Sequence, residues 1–231
     1  MLKELKEIFT GVIMLFLATS LLTADEIKPA VSVANDTKDA EYTRKLDDRV
    51  SKIVTTLELS DSAKAAQVHG LIVAQYRTLN IWHDTHDAHL KELKKTAAAT
   101  DADEAAVAKT EIESIKASLK AIHGNYLARL AESLSPEQIE RVKDGMTVGK
   151  VKFTYTGYVQ QIPALTEEQK AKVLELLKEA REEAMDAGSM DEKSDIFNRY
   201  KGRINNWLSK QGVDQGKGKL PKAEKNESTA K

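Results

Sequence analysis

Between Val68 and Tyr126 the chain keeps one rhythm. Val68, Ile72, Gln75, Leu79, Trp82, His86, His89 and Leu93 step by four and three in turn. After KKTAAATDAD the same steps resume through Ala105, Ala108, Ile112, Ile115, Leu119, Ile122 and Tyr126. Residues so spaced share one side of an α-helix, and the alternation of three and four is the seam of coiled-coil-like packing. Two such helices joined by a short Ala/Thr/Asp loop predict a long antiparallel αα-hairpin turning near Ala98.

The flanking segments extend the helical pattern. Tyr42, Leu46, Val50, Ile53 and Leu57 give one apolar face, with Ser60 placed to cap the next helix. LSPEQ at Leu134 and LTEEQ at Leu165 open two more helices. Ser135 and Thr166 are N-caps, Gln138 and Gln169 close capping boxes, and Leu134 with Ile139 has the spacing of a hydrophobic staple. The second of these helices stops at Gly188, and a last one from about Asp191 to Lys210 carries Ile196, Phe197, Tyr200, Ile204, Trp207 and Leu208. In VKFTYTGYVQQIP, Val151, Phe153 and Tyr155 alternate with polar residues, and with no partner strand in sight an extended packed loop is expected. The fold class is all-α: an antiparallel helical bundle built on a long αα-hairpin, with a smaller C-terminal helical half and an irregular aromatic loop. Only 11 Gly and 4 Pro among 231 residues agree with so much helix.

The ends read differently. No charged residue occurs from Ile8 to Ala24, Lys3 and Lys6 precede the run, and small residues stand before Asp25. Residues 1–24 are expected to be a secretory signal peptide, with an uncleaved anchor as the alternative. The protein is therefore expected to be exported, periplasmic or secreted, and away from the membrane once cleaved. Residues 25–40 read as a flexible leader, 41–211 as the helical domain and 212–231 as a disordered polar tail. The chain has no Cys, which excludes a disulfide framework, a lipid-anchored start and thiolate chemistry. With 35 basic and 36 acidic residues, it lacks the basic excess of a dedicated nucleic-acid binder.

LTEEQKAKVLELLKEAREEAMDAG followed by DIFNRYKGRINNWLSKQG resembles the C-terminal half of a family of exported bacterial proteins, domain of unknown function three-eight-two-six. AQYRTLNIWHDTHDAHLK and VKDGMTVGKVKFTYTGY extend the likeness from about Tyr42 to Gly212. The family's only functional label is sugar binding, and it brings no catalytic residues to carry over. The resemblance implies a non-catalytic carbohydrate-binding or carbohydrate-utilisation accessory protein, with a carbohydrate or polysaccharide fragment as partner. LTEEQ and LSPEQ also resemble the Leu-Thr-x-x-Gln mark of periplasmic helical chaperones and envelope-stress proteins, which supplies a second reading. A glycan-active enzyme is the third, and would need a carboxylate pair flanking a cleft.

Candidate groups follow, each with a plainer role beside it. In WHDTHDAHL, His83, His86 and Asp87 could hold a divalent metal, or the imidazoles could be polar layers of the hairpin seam. His69 and His123 could approach across the hairpin as an acid–base pair, or as buried hydrogen-bonded rings. In KGRINNW, Gly202 and two asparagines are poor choices for a helix interior. Arg203, Asn205 and Asn206 offer planar hydrogen-bonding groups suited to sugar hydroxyls, and Trp207 could stack on a sugar ring or belong to the core. Tyr155 and Tyr158 complete the expected ligand surface, provided they converge with the KGRINN groups. No catalytic residue and no cofactor is assigned.

Overall fold

The computed structural model describes residues 32–99 and 101–213, with side chains from residue 40. The signal peptide expected at 1–24 and most of the polar tail lie outside these residues. Seven helices and no strand occur among them: α1 (Ser32–Thr55), α2 (Ser62–Thr96), α3 (Ala102–Ala131), α4 (Pro136–Met146), α5 (Lys150–Gln161), α6 (Glu167–Met185) and α7 (Met190–Lys210). Helix α1 begins at Ser32, inside the stretch expected to be a flexible leader. None of the helices is long and apolar enough to cross a membrane.

The hairpin forms as its rhythm demands. At 35 residues, α2 is about 52 Å long, and it lies antiparallel to α3. Trp82 Nε1 donates to Ser118 Oγ at 2.8 Å, and His89 meets Glu111 at 2.6 Å nearer the turn. Beyond Trp82 the core is built by these two helices alone, from Leu90, Leu93, Ala108 and Ile112. His86 is half-buried and His89 exposed, so the seam there shifts to Leu90. Two helices cannot enclose a full stripe, and the wider imidazoles stay at its edge.

Toward the open end of the hairpin, α1 and α4 cover it. Leu46, Val50, Ile53 and Leu57 of α1 pack with Val68, Ile72, Tyr126, Leu130, Val142 and Met146. A second core belongs to α5, α6 and α7 and centres on Tyr158, Val173, Leu177, Phe197, Ile204 and Leu208. Val213, just past α7, packs against it.

Helix starts obey local chemistry. Both expected capping boxes form, Ser135 with Gln138 and Thr166 with Gln169. Asp61, rather than Ser60, caps α2 by accepting from the Ala63 and Lys64 amides. Gly188 does not act as a left-handed helix stop, since its φ is not among the positive ones.

The expected aromatic loop is instead α5. Val151, Thr154, Tyr158 and Ile162 are buried, a three-and-four spacing hidden under the two-residue alternation. The residue that creates the alternation, Phe153, is 60% exposed. Packing against α6 and α7 thus overrides the weak helix propensity of Val, Thr and Tyr. Val148 (φ 54°) and Gly149 (φ 63°) make the left-handed corner that separates α4 from α5.

Two glycines separate packing from propensity. A Cβ at Gly145 would lie 2.7 Å from Ile53 Cγ1 in the core, whereas one at Gly124 would meet nothing within 4 Å. Gly145→Ala should cost about 1–3 kcal/mol by overpacking, and Gly124→Ala should gain up to about 1 kcal/mol. Urea denaturation of the two variants measures both signs, and equal effects would refute the close α1–α4 packing.

Candidate functional site

Charge is concentrated where α6 ends against the hairpin. His83 Nε2–H donates to the Asp186 carbonyl at 2.7 Å, and His83 Nδ1 meets Asp87 Oδ1 at 3.0 Å. His123 Nδ1 pairs with the Asp186 carboxylate at 2.9 Å, and His123 Nε2 faces Glu182 at 3.5 Å. Lys143 of α4 holds the far side of Glu182 at 2.9 Å, while buried Arg181 reaches Asp144 and Glu140, each at 2.6 Å. Lys193 of α7, also buried, donates to the Ala184 carbonyl at 2.6 Å and so satisfies the C-terminal end of α6.

Each imidazole has both nitrogens facing acceptors, so the doubly protonated ring satisfies every bond. The Asp186 and Glu182 carboxylates raise the His123 pKa to about 9, against burial. Burial opposes the charge on His83, yet the Asp186 carbonyl and Asp87 outweigh it and raise its pKa. Burial likewise opposes ionisation of Glu182, but His123, Lys143 and Arg181 bring it down to about 2. Burial lowers Lys193 to about 8. The Glu182 carboxylate, surrounded by these cations, is held ionised, and the arrangement is a clamp between the hairpin and α6.

The other histidines of the hairpin have partners as well. His86 Nδ1–H donates to the Trp82 carbonyl at 2.8 Å and the ring stacks on Trp82, while His83 and Asp87 bond each other. Among the described residues no group of three or more His, Asp or Glu is arranged to hold a metal ion. His69 does not meet His123: it turns to α1, 3.2 Å from Asp47.

The ligand candidates sit in the C-terminal trio. Lys150 lies beside Ser194, and Tyr158 beside Lys201 and Asn205, so α5 and α7 run in the same direction. Arg199 pairs with Glu183, and Arg203 with Glu179 at 3.3 Å, so α6 is antiparallel to α7. Tyr158 is buried and donates to Asn205 Oδ1 at 2.7 Å, joining one TYTGY aromatic to one KGRINN amide. Tyr155 is half-buried against the same core, on the α6 side of α5 near Lys170. Arg203 and Trp207 occupy the α6 flank of α7, away from Asn205, because two residues span about 200° of a helix. The Arg203 guanidinium lies 4.4 Å over the Tyr200 ring. Asn206 points outward and is exposed.

The six residues thus divide among both flanks and the outer face of α7, with Tyr158 and Asn205 the pair in direct contact. Between the flanks the outer face is low. Gly202 is exposed and a Cβ there would meet nothing within 4 Å, so close packing does not account for it. Exposed Asn198, Arg199, Arg203 and Asn206, with half-buried Asn205, surround it at helical spacings of one, three and four. Tyr200 and Trp207, half-buried, border this face on the α6 side. Asn198 and Arg199 escaped the sequence reading, which took Tyr200 only as part of the apolar face of the last helix. The one signal for Asn198 and Arg199 is the count of four and three residues back from Gly202.

The fold and its sites define an all-α protein in which a charged corner clamps a three-helix C-terminal half to a helical hairpin. The family model described as Protein of unknown function (DUF3826) matches residues 43–226, and the chain belongs to this family. No curated protein matches it.

The clamp titrates with a definite sign. Because His123 is raised from 6.5 to about 9, its contribution is complete below about pH 6.5 and is lost as pH rises toward 9. The stability difference between wild type and His123→Gln should therefore shrink by about 2–3 kcal/mol across that window. Urea midpoints measured at intervals from pH 6 to 9.5 check it, and a pH-independent difference would rule out the charged ring.

Proposed function

We propose that the protein is an exported, non-catalytic carbohydrate-binding protein, and that the outer face of α7 around Gly202 receives the sugar. One observation carries the reading. Gly202 weakens a helix interior by about 1 kcal/mol relative to Ala, it has no packing role, and it lies amid three asparagines and two arginines. A side-chain-free position lets a ring approach the helix backbone closely. Amides and guanidinium groups, planar donors with fixed geometry, match vicinal hydroxyls. Tyr200 and Trp207 supply aromatic surface at the rim, with Arg203 held in place by Tyr200 and Glu179.

The family resemblance points the same way through its sugar-binding label. A chaperone would work through a broad apolar face; here the exposed large apolar residues, Tyr42, Ile81, Val107, Val148, Phe153 and Met190, are spread along the described chain.

A substitution that strengthens the helix while filling the face separates function from folding. Gly202→Leu should hold or raise Tm, since Leu is a better helix former by up to about 1 kcal/mol, and should abolish glycan-array binding. Asn206→Ala should weaken binding about tenfold with little effect on Tm. Undiminished glycan binding by Gly202→Leu would move the site elsewhere. Suppression of client aggregation with no glycan bound would replace the reading by the chaperone one.

A further inference from the structure

The α5-facing flank of α7 carries a different chemistry. Lys150, in the first turn of α5, and Lys201 of α7 are both half-buried. Lys150 Nζ donates to Ser194 Oγ at 3.1 Å, and Lys201 Nζ to Asn198 Oδ1 at 3.5 Å. Neither forms an ion pair with a carboxylate among the described residues, whereas Lys143, Lys170 and Arg181 all do. Burial lowers the pKa of Lys150 and of Lys201, and the Lys150 charge lowers Lys201 further. The two cations thus lose hydration and repel one another, an arrangement that an anion between them would relieve.

Two neighbours add to the pattern. Helix α5 starts at Gly149, which has no side chain to cap the first amides, so the positive end of the helix lies beside Lys150. Phe153 follows Lys150 by three residues, nearly one turn on the same side, and is 60% exposed. Free inorganic anions have no use for an exposed aromatic ring; a sugar acid presents both an oxyanion and an apolar ring face. Lys201 also adjoins Gly202, so this flank is continuous with the α7 outer face.

The geometry points to an acidic-sugar subsite in which Lys150 and Lys201 take a uronate carboxylate while Phe153 covers the ring and Ser194 and Asn198 meet its hydroxyls. The inference rests on the carbohydrate reading above and narrows its ligand class to uronate-bearing glycans. A sulfate ester shares the oxyanion chemistry and is separated by experiment.

Titration calorimetry tests it with oligosaccharides of galacturonate, guluronate and glucuronate, each beside its carboxyl-reduced counterpart, with a sulfated neutral oligosaccharide and inorganic sulfate as further arms. At least one uronate series should bind about tenfold tighter than its reduced form. Lys150→Met combined with Lys201→Met should erase that preference while Tm holds or rises, because an unpaired, partly desolvated charge pair has been removed. The double Arg variant should restore it. Equal binding of acid and reduced forms, or an acid preference that survives the double Met variant, overturns the subsite and leaves the Gly202 reading standing. Stronger binding of the sulfated sugar or of sulfate overturns the carboxylate assignment. No binding by any glycan removes both readings together.

Discussion

Asp186 binds the hairpin twice. Its carbonyl accepts from His83 on α2 and its carboxylate from His123 on α3, so one residue at the end of α6 fixes the spacing of both hairpin helices. Charged groups in a protein interior cost desolvation, and their net stabilisation is modest unless every bond is completed. Here most are completed: Glu182 shares His123 with Asp186, Lys143 holds Glu182, and Lys193 takes the last carbonyls of α6, while the buried Arg181 Nε alone in this corner has no hydrogen-bond partner among the described residues. What such a corner supplies is register. A greasy contact tolerates sliding by a turn, but a bidentate set of directed bonds does not. Gly188 completes the fit, for a Cβ there would lie 2.7 Å from the His83 ring.

The hairpin, the capping boxes and the end helices were legible because each depends on local periodicity or on three-residue spacing, such as Ser135 with Gln138. Helix α5 was not. Phe153 has the pattern of a strand residue and the fate of a surface residue, and nothing local reveals that α7 needs a parallel neighbour. Similarly, His83 looked like a companion of His86, three positions on. Its Nδ1 does meet Asp87 one turn on, but its Nε2 bonds the Asp186 carbonyl, 103 residues away, and no spacing rule connects those two. Among the ligand candidates, composition flagged Gly202 and the two asparagines as a break in helix logic. It could not say that Arg203 and Asn205 leave the helix by opposite flanks, which becomes plain only when Glu179 and Tyr158 mark the two sides.

Helix α7 thereby serves three masters. Ile196, Phe197, Ile204 and Leu208 face the core and are fully committed to it. One flank is tied to α6 by Arg199 and Arg203, and the other to α5 through Asn205. The outward arc is left for asparagines and a glycine, an amide-rich surface on a rigid element. Under the carbohydrate-binding proposal, groups held on a helix that is anchored on three sides would lose little freedom when a ligand arrives.

The two cores also differ in how far their contacts reach along the chain. Val151 to Leu208 form one almost by themselves, from three consecutive helices, and the hairpin joins neighbours across one turn. The charged corner and Met185, which belongs to the hairpin-side core, bridge the largest sequence separations. Contacts between near neighbours close small loops and form early, while distant ones wait. Folding should then proceed as two quickly formed pieces that dock in a slow final event, with the imidazole–carboxylate corner closing last.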